Sequence, residues 1–490
     1  MNVCVVGAGP SGVVALKELR AAGLHATAFD SQDRVGGLFV FRESDGLVWD
    51  TLHLTSSALV TQFSDFPPAA PAAFWRHDEY VAYLEAYAAH FGLAPHMRFG
   101  SPVRSAERVS TGWRVQVGDA GPQHFDALVV CSGIHHRPHV PDIPGLNTFT
   151  GDVSTAATFR RADAFRGQRV VCVGGGEAGG DIAPQIAQVA ESCTVSLRRG
   201  ANFLPRYVNG APGDYLMTRL RHGVGHDALL LPRRRARERA DADGRPADDE
   251  PDHFQYDAEV GDVVRASLRH TGLARWQQFA TKTAALPEAV ARGRCRLAPG
   301  IARVDGATIH FVDHTCTDAD ALVFCTGFEP PTWPFLGDAS PRGGLYRRVF
   351  DPALGAAAAF IGFARPAIGS IPVIAEMQAR WVSSVLTGQC ALPSPDDMRA
   401  SITADEAETA QMFPKDVSQL PYLVAHAQYL DTVARELGCM PSLGDLRRTP
   451  GLLRAFYSAP FTALQYRLVG PGALPDAAAR LLTLPLQDQR

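Results

Sequence analysis

Two glycine-rich turns, Gly7-Ala8-Gly9-Pro10-Ser11-Gly12 and Gly174-Gly175-Gly176-Glu177-Ala178-Gly179, each stand behind an apolar run and ahead of a helical pattern. A second kind of signal also occurs twice, as an apolar run ending in small residues: Phe125 to Gly133, and Asp320 to Gly327. Together they predict an α/β chain with two Rossmann-like dinucleotide-binding domains, the second inserted in the first. A helical insertion and a helical C-terminal region complete the expected architecture. One G-x-G-x-x-G arises by chance in glycine-rich sequence; two in strand–turn–helix context point to two bound dinucleotides.

After the first turn, Val13 to Leu19 reads as a helix packed on a sheet, and Ala26-Thr27-Ala28-Phe29 as a strand ending at Asp30. A carboxylate about 20 residues past the glycines accepts hydrogen bonds from a ribose diol and repels a 2'-phosphate. The first site therefore suits FAD or NAD. Gly36-Gly37-Leu38-Phe39 follows, where glycines let backbone approach a bulky ligand. After the second turn, Cys193 to Leu197 ends instead at Arg198-Arg199. Guanidinium groups offer paired donors and charge to a phosphate dianion, so this end suits NADPH. FAD first and NADPH second is the reading.

The expected spans are 1–159 for the first part of the FAD domain, 160–320 for the NADPH domain, and 321–490 for the rest. A helical insertion falls at about 213–285. Within it, residues 233–252 form a basic run followed by an acidic one, read as a solvated segment because the charges largely cancel. The aromatic residues Tyr215, Phe254, Tyr256, Trp276 and Phe279 permit an apolar substrate channel or plain core. Tyr422 to Leu437 reads as helix, with Arg435-Glu436-Leu437-Gly438 as its C-terminus.

The chain has 490 residues, 46% apolar and 20% charged, as in ordinary soluble proteins, and its net charge of −4 gives no reason to expect nucleic acid. No uninterrupted apolar run reaches the length of a membrane span, and the first strand begins too early for a signal peptide. The nine cysteines include no C-x-x-C and fit a reducing cytoplasm. His135, His136 and His139 lie close together without a partnering Cys, Asp or Glu cluster, so no metal is expected.

On several stretches the chain resembles the flavin-containing monooxygenase family nearly end to end. They are Gly36 to Phe39, Phe63-Ser64-Asp65-Phe66-Pro67, Ser132 to Pro138, Cys325-Thr326-Gly327-Phe328, Glu376 to Trp381, and Gln465 to Gly472. Three departures stand out. The hallmark F-x-G-x-x-x-H aligns on Phe149-Thr150-Gly151, but its histidine position holds Thr155. The active-site asparagine of relatives falls on Thr55, which keeps a hydroxyl and loses the amide's separate donor and acceptor. Glu177-Ala178 replaces a common Asn-Ser, placing a carboxylate by a pyrophosphate, with the nearby arginines as its expected partners.

The resemblance implies an FAD- and NADPH-dependent monooxygenase. Reduced flavin would react with oxygen to a C4a-(hydro)peroxide and pass one oxygen atom to a nucleophilic nitrogen or sulfur of a small molecule. Thr55 takes the catalytic position. Gly7, Gly9, Pro10, Ser11, Gly12, Asp30, Gly37, Leu38, Phe39, His53, Thr55, Thr326, Gly327 and Gln378 are the candidate FAD contacts. Gly174, Gly176, Glu177, Ala178, Gly179, Arg198 and Arg199 are those for NADPH. Baeyer–Villiger insertion into a ketone and an NADPH oxidase-like release of hydrogen peroxide stay open as alternatives. A disulfide reductase lacks its dithiol here. The expected partners are a small-molecule substrate and molecular oxygen, with a homodimer admitted, no integral membrane anchor and a cytoplasmic location.

Overall fold

Val3 and Val5 of the first strand face one apolar layer while Cys4 and Val6 face another, the alternation of a strand buried on both sides. The computed structural model describes residues 1–68, 73–226, 256–272, 279–414 and 422–487. The charged stretch 233–252, Phe254 and Trp276 lie outside them.

In chain order, the elements that position the site begin with β1 (Asn2–Val6), α1 (Pro10–Ala21), β2 (His25–Phe29), β3 (Met97–Arg98) and β4 (Ala127–Val130). Next come β5 (Asp152–Thr155), β6 (Arg169–Val173), α2 (Glu177–Ile186), β7 (Ser192–Ser196), β8 (Ala280–Lys282), β9 (Arg296–Ala298) and β10 (Ala321–Phe324). The last are β11 (Ala358–Phe360), β12 (Arg365–Pro366), α3 (Ile371–Leu386), β13 (Leu423–Val424) and α4 (His426–Leu437).

Two five-stranded sheets carry the fold, ordered β11-β4-β1-β2-β3 and β9-β7-β6-β10-β5. All their pairings are parallel. Each is built outward from a central strand that runs into a glycine turn, so the second sheet repeats the plan of the first. The second sheet takes β5 and β10 from outside the expected 160–320 span, because both are hydrogen-bonded into it. The first sheet recovers β11 after that excursion, and α3 packs beside α1, with Val13, Leu16, Val373 and Met377 buried in one apolar core.

The insertion is not wholly helical. Residues Ala258–Thr271 and Ala285–Ala291 are helices, but Ala280–Lys282 is strand, paired with Asn202–Leu204. Likewise Leu423–Val424 is extended and the following helix starts at His426, ending at Gly438 with φ 75° as its C-terminal signal requires.

Candidate active site

The two glycine turns have nearly one geometry. Gly7 has φ +105° and Gly174 φ +107°; a Cβ on them would stand 2.6 Å from the Cys131 carbonyl oxygen and 2.7 Å from that of Cys325. A Cβ on Gly12 or Gly179 would collide with the carbonyl of Gly7 or Gly174, at 1.9 and 2.0 Å. Only glycine permits this strand-to-helix approach, twice. Gly9 and Gly176 cap the helices in the same extended conformation, with φ −73° and −74°. Pro10 occupies the first turn of α1, where its missing N–H costs nothing. Nothing lies within 4 Å of a Cβ placed on Gly176, which leaves room at the start of α2 for an anionic group.

Gly37 faces Gly9 so closely that a Cβ there would meet Gly9 Cα at 2.9 Å. Gly37, Leu38 and Phe39 form a single 3-10 turn, with the Phe39 ring edge-on to Tyr80 at 4.9 Å. Asp30 is buried at the end of β2; it accepts the Ala8 N–H at 2.6 Å and the Gln32 N–H at 2.8 Å. It thus fixes the first turn, with one lone pair on each oxygen left for a diol. Arg198 and Arg199 follow the end of β7, Arg198 exposed and Arg199 half-buried. The Thr281 and Thr283 hydroxyls donate to the Gly175 and Gly180 carbonyls at 3.0 and 3.3 Å, clamping the second turn from β8.

Glu177 has a different partner from the arginines expected. Lys282 Nζ lies 2.6 Å from its carboxylate and the Lys282 N–H donates to it at 3.1 Å. The reason is geometric: β8 runs alongside the second turn and delivers its lysine there. Arg206 Nε donates to the Lys282 carbonyl at 3.1 Å, tying a further cation to the same strand.

Thr55 is half-buried and its hydroxyl has no hydrogen-bond partner among the described residues. Two residues on, the Ser57 N–H donates at 2.6 Å to Asp214, a buried residue of the insertion. Burial pushes the Asp214 carboxyl above its ordinary value, against the pull of the Ser57 bonds and the charge of Lys282. Trp49 Nε1 donates to Asp181 of α2 at 2.9 Å and the Thr51 hydroxyl to Gln185 at 2.6 Å. His53 is half-buried, with Nδ1 2.8 Å from the Thr51 carbonyl oxygen. Burial raises the Asp181 carboxyl, with Arg206, Trp49 and His53 opposing. These contacts join the loop that carries Thr55 to the helix of the second turn. A cleft of about 510 Å³ lined by Asp50, Thr51, Asp163, Asp181 and Gln185 opens on this seam.

Two candidate contacts have surroundings of their own. Thr326-Gly327 ends β10 in the second sheet, beside the second turn; the Thr326 hydroxyl binds the His139 carbonyl. The run that occupies the corresponding place in the first sheet is Cys131 to Gly133, since β4 and β10 hold equivalent positions. Gln378 is fully buried, with its amide donating to Tyr429 at 2.6 Å and accepting the Gly362 N–H at 2.8 Å. It supports the backbone at Gly362, where a Cβ would stand 2.3 Å from Ser11 Oγ. It positions the first turn without facing it. The Thr155 hydroxyl is buried with no partner among the described residues.

Sequence reasoning missed Lys282, Asp214 and Asp181. The one signal for Lys282 was scarcity, for the chain has three lysines among 490 residues.

A strand, glycine turn and helix repeated on two parallel sheets define a fold built for two dinucleotides. The chain belongs to the flavin-binding monooxygenase-like family, whose profile matches residues 1–488. It is a flavin-dependent NADPH monooxygenase with FAD and NADPH as cofactors. It is 34% identical to a 4-hydroxybenzoate brominase (decarboxylating) of Marinomonas mediterranea, covering 98% of this chain and 92% of that protein. It is 30% identical to dimethylaniline monooxygenase [N-oxide-forming] 2 of Rattus norvegicus, covering 98% and 91%. The fold is that of S-allyl-L-cysteine S-oxygenase from Allium sativum, with a TM-score of 0.63 at 21% identity over 91% and 90% of the two chains. It is also that of cyclohexanone monooxygenase, with a TM-score of 0.62 at 18% identity over 89% and 96%. Among the described residues no helix is long and apolar enough to cross a membrane.

Proposed function

We propose that this enzyme binds FAD at the first turn and NADPH at the second, and inserts one oxygen atom into a nucleophilic nitrogen or sulfur of a small molecule. The observation that carries the assignment of the two sites is the repeated turn with opposite charge at its far end, Asp30 against Arg198-Arg199. We place the NADPH domain at 152–324, from the first to the last strand of the second sheet. When bound, FAD supplies hydride acceptance and oxygen activation.

The residues do the rest. The N–H groups at the start of α1 and the Gly9–Gly37 approach receive the FAD pyrophosphate, and Asp30 receives a ribose hydroxyl. Gly37, Leu38 and Phe39 form the wall above it. At the second turn Gly174, Gly176, Ala178 and Gly179 give the NADPH pyrophosphate its approach. Lys282 neutralises Glu177 there, and Arg198 and Arg199 meet the 2'-phosphate. Thr55 offers one free hydroxyl to the reacting region, held in place through Ser57 and Asp214. The Trp49–Asp181 and Thr51–Gln185 hydrogen bonds keep the loop that carries His53 and Thr55 on α2, which limits entry of water.

A second reading is favoured by the brominase relatives, at 34% and 32% identity over nearly the whole chain. In it the soft nucleophile that accepts oxygen is a halide, and a hydroxylated aromatic acid is the final acceptor. The test is one experiment on the FAD-loaded protein with NADPH and oxygen. It compares a tertiary amine, a thioether, a ketone, and bromide with 4-hydroxybenzoate, measuring product and hydrogen peroxide per NADPH. An N-oxide or sulfoxide supports the first reading and a brominated phenol the second. An ester would mark Baeyer–Villiger chemistry, and peroxide alone an oxidase.

A further inference from the structure

We propose that Arg365 is a substrate anchor, and that the small molecule this enzyme oxidises carries a carboxylate which that guanidinium pairs. The proposal rests on the reading of the first turn as the flavin site.

Arg365 lies on the stretch that runs from Gly362, beside the first turn, to the start of α3. Gly362, three residues before it, abuts Ser11 of the glycine turn, and α3 opens at Ile371. Its backbone is rigid: the Arg365 N–H donates to the Tyr422 carbonyl at 2.9 Å, and β12 pairs with β13. The side chain is half-buried, yet among the described residues its guanidinium has no carboxylate partner and no hydrogen bond. It stacks over the Phe279 ring, 4.5 Å from the centroid.

Among the described residues nothing compensates that charge. Lys282 Nζ is 5.2 Å from the centroid of the same ring, but its charge is matched by Glu177. His135, packed edge-on to Phe328 at 4.8 Å, is pushed down to about 3 by loss of solvent and then by Arg365, so it adds no charge at neutral pH. Through Lys282, Phe279 adjoins both the second turn at Glu177 and, electrostatically, Asp214 behind the Thr55 loop. An aromatic face and a free guanidinium thus stand where the flavin-side and NADPH-side elements meet. A guanidinium already stacked on a ring is pre-organised for a planar anion, with two parallel N–H···O bonds to one carboxylate. The anchoring is non-covalent and leaves the oxidisable atom at the far end of the molecule.

The test uses calorimetric titration of the full-length FAD-loaded enzyme with benzoate and with benzamide, which share a shape and differ in charge. Benzoate is expected to bind at least about tenfold more tightly than benzamide, as a charge-assisted bidentate pair implies. Arg365→Gln is expected to erase that difference and Arg365→Lys to retain part of it. Equal affinity of the two ligands for the wild-type enzyme overturns the proposal without any variant. A preference that survives in Arg365→Gln overturns it as well. If Arg365→Gln weakens NADP+ by the same factor as benzoate, the guanidinium serves the cofactor's phosphates and the substrate assignment falls. Failure of the wild-type chain to take up FAD removes the underlying flavin reading, a separate result visible before any ligand is added.

Discussion

Glu177 shows how one substitution is absorbed. A carboxylate at the first position of α2 would repel a pyrophosphate, and Lys282 at 2.6 Å cancels it. Lys282→Met should therefore raise the dissociation constant for NADP+ by about tenfold, roughly the value of one uncompensated charge at a half-exposed site, while leaving FAD uptake alone. Fluorescence titration with NADP+ reads this, and unchanged affinity would mean that Glu177 points away from the ligand. At the far end, replacing Arg198 and Arg199 with Ser should cut the preference for NADPH over NADH by about 10- to 100-fold, the worth of one or two charged pairs. The ratio of kcat/KM for the two nucleotides measures it. Thr55→Val keeps the side-chain shape and removes the hydroxyl. The fraction of consumed NADPH that appears as hydrogen peroxide should rise; a constant fraction would show that Thr55 does not touch the reacting region.

Among the elements, the insertion does more than shape an entrance, because Asp214 reaches across 157 positions to the N–H of Ser57. Asp214→Ala leaves that buried donor unpaired and should cost about 1–3 kcal/mol in denaturant unfolding. Asp214→Asn retains an acceptor and should recover most of the loss. The two variants also differ in pH response. Burial raises the wild-type carboxyl in the folded state. Its contribution is thus fully present below the ordinary aspartate value and is lost as pH rises through the folded value. The stability of Asp214→Asn relative to wild type should accordingly improve across that rise; a parallel pair of curves would refute the assignment. Gln378 acts in a comparable way on the first turn. Its amide is closed between Gly362 and Tyr429, so α3 sets the backbone against Ser11 from behind.

At the scale of the whole molecule, the family-like stretches at Phe63–Pro67, Glu376–Trp381 and Gln465–Gly472 meet in one buried charge cluster. Arg467 lies 2.8 Å from Glu18 and 2.9 Å from Glu376, and Lys17 lies 2.5 Å from Asp65. Arg467 Nε donates to the Ser64 hydroxyl at 2.7 Å, and Arg380 donates to the Pro471 carbonyl at 2.8 Å. Three cations, Lys17, Arg380 and Arg467, balance three anions, Glu18, Asp65 and Glu376. Removing one partner strands a buried charge, so Arg467→Met should cost about 3–5 kcal/mol in urea unfolding. A loss under about 1 kcal/mol would mean that water reaches the cluster. Burial alone would raise the Glu18 carboxyl, but Arg467, Lys17 and Arg380 outweigh it and hold it below the ordinary value. Its contribution is present above the ordinary glutamate value and is lost as pH falls through the folded one, so acid should loosen the packing of α1 and α3 from this point.

Much of the fold was legible in the sequence because its signals are local. A glycine turn is specified by backbone angles and close approach at Gly7, Gly12, Gly174 and Gly179, and no distant residue can substitute for them. The apolar alternation of the strands and the charges at Asp30 and Arg198-Arg199 are equally local. Both cofactors and the two-domain plan therefore followed from the chain itself. Side-chain partnership did not. Lys282 reaches Glu177 across 105 positions and Arg467 reaches Ser64 across 403, and nothing within either segment encodes the other. Only the tertiary structure turned Gln378 inward, moved Thr326-Gly327 to the second sheet and left the Arg365 guanidinium without a counter-ion among the described residues, because burial and pairing are properties of the packed chain.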